Sequence, residues 1–165
     1  MSYVFDSSCL IYFGKLRILD KIKKLDGKKL IPRAVYNEVV KQGFERKERE
    51  AFYIEQLIKE KSFTIQKPKN NINNIPLLSE ADREVLALAK EKNYIAIMDE
   101  IYARNIAKSY NIETHGSIYL LLKLIEEKII LKKQATEYID KMINLGFYLS
   151  LDKYKEIINI IEEIS

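Results

Sequence analysis

The chain has 165 residues and a formal net charge of +4, with 28 Lys and Arg against 24 Asp and Glu. This length fits one domain with a sizeable core, and no apolar run reaches the roughly 18–20 residues of a membrane span. The single cysteine, Cys9, and the single histidine exclude a disulfide framework and an ordinary Cys/His zinc site. The cysteine content and the lack of a basic, apolar leader predict a cytoplasmic protein, and the mild positive charge favours anionic partners.

The hydrophobic pattern predicts that strands and helices alternate through the first 115 residues. The predicted strands are 2–5, 29–31, 62–66, 94–98 and 112–114. The predicted helices between them are about 9–14, 15–25, 34–41, 45–60, 80–92 and 100–110, followed by helices at about 117–128, 134–145 and 151–163. Ser7 or Ser8 is predicted to cap the first helix, and Ser79 the helix at 80–92. The pattern predicts an α/β/α sandwich around a parallel sheet, with a helical C-terminal extension.

Two carboxylates directly follow strongly apolar predicted strands. Asp6 follows the strand at 2–5, and Asp99 follows the strand at 94–98. In open α/β sheets the ligand crevice lies outside the carboxyl ends of the strands, and hard divalent cations bind carboxylates there. The alternative is that each side chain caps the helix that follows, because Asp is a good N-cap.

Two further acids lie on predicted helices beside apolar faces. Glu38 neighbours a buried stripe, and a solvated helix edge is the alternative explanation for it. Asp82 falls inside the apolar arc of its helix, where an unpaired buried carboxylate would be costly. Glu84 lies at the edge of the same arc and is predicted to be an auxiliary ligand. Each acid has an ordinary explanation alone, but four in this setting favour a metal site.

The order and setting of these acids resemble the PIN-domain nucleases, including toxins of the VapC type. Four segments carry the resemblance: Val4–Ile11 with Asp6, Ile31–Val39 with Glu38, Leu78–Ala89 with Asp82, and Ile97–Ala107 with Asp99. Glu100 stands where a second Asp often follows in the family, and Arg104 comes at the expected place. Residues 114–117 resemble the turn before the next helix of the family. The resemblance covers about residues 1–130, which predicts a PIN-like domain there and C-terminal helices at 131–165 packed on the same domain.

The resemblance implies a metal-dependent endoribonuclease that hydrolyses RNA phosphodiesters with Mg²⁺ or Mn²⁺ as the toxin of a toxin–antitoxin pair. It implies that Asp6 and Asp99 ligate the principal metal. Glu38 and Asp82 are then expected to hold a second metal or to orient the attacking water. Supporting roles are expected for Ser8, Glu84 and Glu100. The expected partners are RNA, an antitoxin protein and a second copy of the chain, with no membrane.

Two other functions compete with this interpretation. A catalytically inactive PIN scaffold would bind RNA or protein, but its expected mark is loss of the acids, and all four are present. A Mg²⁺-dependent phosphatase of the α/β type would ordinarily place a second Asp near the first, and Asp6-Ser7-Ser8 lacks it. The nuclease interpretation requires the carboxylates to converge. A structure in which Glu38 and Asp82 face opposite sides of the sheet would contradict it.

Overall fold

The computed structural model describes all 165 residues, and its five strands form one parallel sheet. The strands are β1 (Tyr3–Phe5), β2 (Lys29–Pro32), β3 (Thr64–Gln66), β4 (Ile95–Ile97) and β5 (Thr114–His115). Every residue of β1, β2 and β4 is buried. Strands buried on both faces are expected where helices cover both sides of a parallel sheet. The predicted α/β fold is therefore confirmed.

Ten α-helices and one π-helical turn connect and follow these strands. In chain order they are α1 (Ser7–Lys15), α2 (Leu19–Ile22), α3 (Arg33–Tyr36), the π-helical turn (Asn37–Lys41), α4 (Gln42–Glu45), α5 (Arg49–Lys59), α6 (Glu80–Lys92), α7 (Ile101–Ser109), α8 (Ser117–Glu126), α9 (Lys132–Asn144) and α10 (Leu151–Glu163). The helix predicted at 15–25 is only four residues long, because Arg17 adopts a left-handed conformation at φ 57°. The helix predicted to begin at 45 begins at Arg49, because Lys47 at φ 58° ends the preceding helical run.

The strand order β3-β2-β1-β4-β5 places a reversal of chain direction at β1. The chain builds outward from β1 through β2 to β3, then returns to the other side of β1 for β4 and β5. Phe5 is paired with Ile97 at the carboxyl ends of β1 and β4. Open α/β sheets form their ligand crevice at such a switch point, because the helices diverge to opposite faces there. The fold therefore places the residues that follow β1 and β4 beside this crevice.

The chain forms two compact units, Met1–Ser117 and Ile118–Ser165. The first contains the whole sheet and α1–α7. In the second, α9 and α10 pack together, and the Tyr154 hydroxyl donates a 2.7 Å hydrogen bond to Asp140 between them. The predicted domain boundary at residue 130 stays a prediction. No helix is both long enough and apolar enough to cross a bilayer.

Candidate functional site

Asp6 is buried at the carboxyl end of β1, where its backbone joins the strand and the first helix. Its backbone N–H donates to the Ile97 carbonyl at 3.1 Å, which extends the β1–β4 ladder by one bond. Its side chain is the N-cap of α1 and accepts from the Cys9 N–H at 2.9 Å. The prediction that Ser7 or Ser8 caps this helix is therefore wrong. Capping fixes the direction of the Asp6 carboxylate, which is only 6% exposed.

Asp99 lies two residues beyond β4 and is held by the turn before α8. Its two carboxylate oxygens accept from the Ser117 N–H at 2.7 Å and the Ser117 hydroxyl at 2.5 Å. A Cβ atom on Gly116 would lie 2.8 Å from Asp99 Oδ1, so a glycine is needed for this close approach. Asp99 does not cap α7, whose N-cap is the exposed Glu100 with no side-chain capping bond. The helix-cap alternative thus fails for Asp99.

Burial disfavours ionisation of both strand-end carboxylates, and like charge adds to this effect at Asp6. Burial raises the pKa of Asp6 well above its usual range, and the nearby Asp99 and Asp82 raise it further. The Cys9 and Asp99 backbone N–H groups act in the opposite direction on that pKa. Burial also raises the pKa of Asp99, against the hydrogen bonds from Ser117 and the charge of Arg104. Asp99 and Asp82 thus repel the buried Asp6 carboxylate, and a bound cation would relieve that repulsion.

The buried Cys9 thiol near this crevice offers little nucleophilic chemistry of its own. Burial, then Asp6 and Asp99, raise the pKa of the Cys9 thiol well above its ordinary value, which keeps it protonated and unreactive. His115 lies in β5, and its ring nitrogen is 2.9 Å from a carboxylate oxygen of Glu113. Carboxylate chemistry therefore dominates the crevice.

Glu38 is linked to the Asp6 segment through Ser7, which was not predicted to belong to the site. The Ser7 hydroxyl donates to Glu38 Oε2 at 2.5 Å. Ser8, the predicted supporting donor, is exposed and makes no such bond. Glu38 lies in the π-helical turn Asn37–Lys41, a type of distortion found frequently at functional sites. The periodicity of buried and exposed positions distinguishes Ser7 from Ser8 only if the first residue of the helix is known. A sequence pattern does not locate a helix start to one residue.

Of the two acids of α6, Glu84 is buried more deeply than Asp82, although the apolar arc predicts Asp82 to be the more buried. Asp82 is half-buried in the first turn, where its backbone N–H donates to the Ser79 cap at 3.0 Å. Glu84 is only 4% exposed, and its carboxylate accepts from the Ala34 N–H at 2.8 Å. Glu84 thereby caps α3 from another element, and α3 leads directly into the turn that carries Glu38. Its contact supports the placement of Glu38.

Asp99 and Asp82 both lie within electrostatic reach of Asp6, and the Ser7 hydroxyl links Glu38 to the residue that follows Asp6. No three of these side chains converge with the geometry of metal ligands in this structure, so the predicted convergence of the four carboxylates is not observed. Protein donors engage oxygens of Asp6 and Asp99. The donor chemistry nevertheless fits a hard divalent cation, which prefers carboxylate oxygens.

Comparison with known proteins bears on the fold and the family of the chain. A solved PilT N-terminus domain protein from the hyperthermophilic archaeon Sulfolobus solfataricus superposes with a TM-score of 0.57 and 18% identity, over 76% of this chain and 95% of that chain. A domain of a functionally unknown protein from Methanocaldococcus jannaschii gives a TM-score of 0.45 and 21% identity, over 70% of this chain and 91% of that one. No curated protein is significantly similar in sequence. The family model DUF3368, a PIN domain, matches residues 2–163. This match shows that the chain belongs to the PIN-domain family, whose members are generally nucleases and usually use divalent metals.

Proposed function

We propose that this protein is a Mg²⁺- or Mn²⁺-dependent endoribonuclease and acts as the toxin of a toxin–antitoxin pair. One observation carries the enzymatic part of the proposal. The two carboxylates that flank the switch point of the sheet, Asp6 and Asp99, have raised pKa values and sit close to a third acid. A protein gains no stability from such crowding, but a cation site requires it. The toxin role rests on the resemblance to stand-alone toxins, in which a partner protein inhibits the nuclease.

The residues divide into those that would hold the metal and those that hold the carboxylates. Asp6 and Asp99 would hold the principal ion, with Asp82 and Glu38 beside it. When bound, the ion supplies a more acidic water at neutral pH and compensates charge on the phosphate. Ser117 keeps Asp99 oriented through two hydrogen bonds. Burial of Asp6 excludes bulk water from one side of the crevice, which strengthens every charge interaction within it.

Cleavage of RNA by wild type and Asp99→Asn tests the proposed function. Mixed single-stranded and structured RNAs are incubated with Mn²⁺ or Mg²⁺ and, in parallel, with EDTA. Wild type should cut only with metal, and Asp99→Asn should not cut. Asp152→Asn changes an exposed acid in α10 and is the matched control. Metal-independent cutting, or equal cutting by Asp99→Asn, would contradict the assignment; no cutting by folded wild type would favour a binding scaffold.

Ser7→Ala should lower the rate of metal-dependent RNA cleavage by about tenfold, the scale of losses when a group that orients a metal ligand is removed. Without the Ser7 hydroxyl, the exposed Glu38 carboxylate loses its one hydrogen bond and its fixed direction. Ser8→Ala is the matched control, because Ser8 is exposed and contacts none of the acids. Initial rates at saturating metal measure both. A larger loss for Ser8→Ala than for Ser7→Ala would favour the assignment made from the sequence.

A further inference from the structure

A cavity of about 490 Å³ lies where α6 and α7 end, apart from the acidic crevice. Its helical walls include Lys90 and Glu91, in the last turn of α6, and Tyr110, directly after α7. These parts of the chain lead into the amino ends of β4 and β5, whereas the crevice lies at the carboxyl ends of the strands. Small-molecule sites in proteins have volumes of roughly 300–1,000 Å³. The cavity is therefore large enough to hold a ligand and is separate from the crevice.

The remaining wall of the cavity is the irregular segment between β3 and α6, which is anchored to both helices. The Lys69 N–H donates to Glu91 Oε2 at 2.8 Å, which holds one end of the segment against α6. The Tyr102 hydroxyl donates to the Pro76 carbonyl at 2.6 Å, which holds the other end against α7. Residues 70–73, which line the cavity, lie between these two anchors. Hydrogen bonds thus fix both ends of the segment that encloses the cavity.

Three asparagines of this segment, Asn70, Asn71 and Asn73, line the cavity. Asn71 Oδ1 accepts from the Ile72 N–H at 3.0 Å, a local bond that is common for asparagine outside helices and strands. The carboxamides of Asn70 and Asn73 bond to no other protein group, and each offers two N–H donors and an acceptor oxygen. Nucleobase edges carry the same mixture of groups, and an asparagine carboxamide pairs with adenine through two hydrogen bonds. The segment therefore presents groups that fit a base.

Lys90 brings a positive charge to the same cavity. Its ammonium group lies 5.2 Å from the centroid of the Tyr110 ring and forms no ion pair with an acid. Glu91 is the one acid of the lining. Its carboxylate is already engaged by the Lys69 N–H and lies 4.0 Å from the Lys92 ammonium. The charge of Lys90 is therefore available to an anionic group of a ligand.

We propose that this cavity binds a nucleoside monophosphate unit, with its base at the asparagine carboxamides and its phosphate at Lys90. Ile72 and the buried Ala87 provide the apolar surface that a planar base needs. The unit is either a free mononucleotide or one nucleotide of an RNA chain, because both carry the same groups. The site does not depend on the proposed cleavage reaction, since it shares no residue with the acidic crevice.

Titration of the isotope-labelled full chain with AMP in EDTA, followed by NMR, tests this site. The side-chain NH₂ signals of Asn70 and Asn73 should shift together with the backbone signal of Lys90. The backbone signals of Asp6 and Asp99 should not move, because the crevice lies at the other ends of the strands. Shifts confined to the crevice would show that the nucleotide binds there, and would overturn the proposal.

Two substitutions separate recognition of the phosphate from recognition of the base. Lys90→Gln should weaken AMP binding about tenfold, because a hydrogen bond to a charged group is lost, and leave adenosine binding unchanged. Asn73→Ala should weaken the binding of AMP and of adenosine alike. Lys108→Gln and Asn105→Ala are the matched controls, because both residues are exposed on α7 and neither lines the cavity. Equal weakening by the controls would contradict the site.

A short RNA oligonucleotide distinguishes the two sources of the ligand. An oligonucleotide that shifts the same signals and displaces AMP identifies a nucleotide of RNA, whereas one that leaves the AMP shifts unchanged identifies a free mononucleotide. No shift at these signals with millimolar AMP would overturn the site, as would equal shifts with ribose phosphate, which lacks a base. Asp99→Asn should bind AMP as the wild type does. Loss of RNA cleavage with intact AMP binding would therefore refute the proposed enzyme and leave this site standing.

Discussion

Asp6→Asn should abolish RNA cleavage and at the same time raise the unfolding temperature of the protein in chelator. The substitution keeps the cap of α1, because Asn accepts the Cys9 N–H as well as Asp does. It removes a desolvated negative charge that Asp99 and Asp82 repel. We expect cleavage to fall at least about 100-fold, since a ligand of the principal metal is lost. Stability should rise by about 0.5–2 kcal/mol, the usual exchange of function for stability at a strained site.

Thermal unfolding in EDTA and initial cleavage rates in Mn²⁺ measure the two effects on one preparation. Asp26→Asn is the matched control, because Asp26 is an exposed acid in the turn before β2. It should change neither quantity. A variant at Asp6 that loses both activity and stability would show that the residue serves the fold, and that its carboxylate is not crowded by its neighbours.

The stability of the protein in chelator should fall as pH rises above about 4, the ordinary pKa of an Asp in the unfolded chain. Asp6 and Asp99 have pKa values in the folded state above that value, chiefly because they are buried. Between the two pKa values the folded state binds more protons than the unfolded state, so raising the pH favours unfolding. The contribution of these two carboxyl groups to the free energy of unfolding is fully present below the pKa of the unfolded state. It is lost as the pH rises through the pKa of the folded state.

Mn²⁺ should oppose this loss, because the ion competes with protons for the same carboxylates. The rise in unfolding temperature produced by Mn²⁺ should therefore be larger at pH 7.5 than at pH 5. Scanning calorimetry from pH 4 to 8, with Mn²⁺ and with EDTA, gives both trends. The double variant Asp6→Asn/Asp99→Asn supplies the reference for all other titrating groups. An equal pH slope in the double variant and wild type would contradict the assignment of the raised pKa values.

Much of the fold is readable from the chain because its strands are short apolar runs followed by acids. Each of the five strands overlaps the range that the hydrophobic pattern predicts, although β5 shares only Thr114 with the predicted strand at 112–114. The parallel order follows from the alternation with helices. The ends of helices are less predictable. Arg17 and Lys47 end helices in a left-handed conformation, which glycine adopts most readily. Because neither residue is glycine, the sequence carries no signal that a helix ends there. The π-helical turn at Asn37–Lys41 likewise has no proline or glycine to mark it.

The site shows what local patterns cannot supply. Asp6 and Asp99 are identifiable because strand ends meet at one edge of a parallel sheet. The role of Ser117 could not be predicted from the sequence, because its hydrogen bonds to Asp99 span 18 residues and depend on the Gly116 turn. The periodicity of α6 places Asp82 inside the apolar arc and Glu84 at its edge. Glu84 is nevertheless the more deeply buried of the two, because its carboxylate meets the start of α3, a tertiary contact between residues 50 apart.

The proposed function depends on Asp6 and Asp99 holding the divalent ion that RNA cleavage requires. The most direct test is an anomalous difference map from crystals of the full chain grown with Mn²⁺, collected near the manganese edge. We expect a peak within coordination distance of the Asp6 and Asp99 carboxylates, and no such peak in crystals of Asp99→Asn. A manganese peak bound elsewhere, with none at these two carboxylates under conditions that support cleavage, would contradict it.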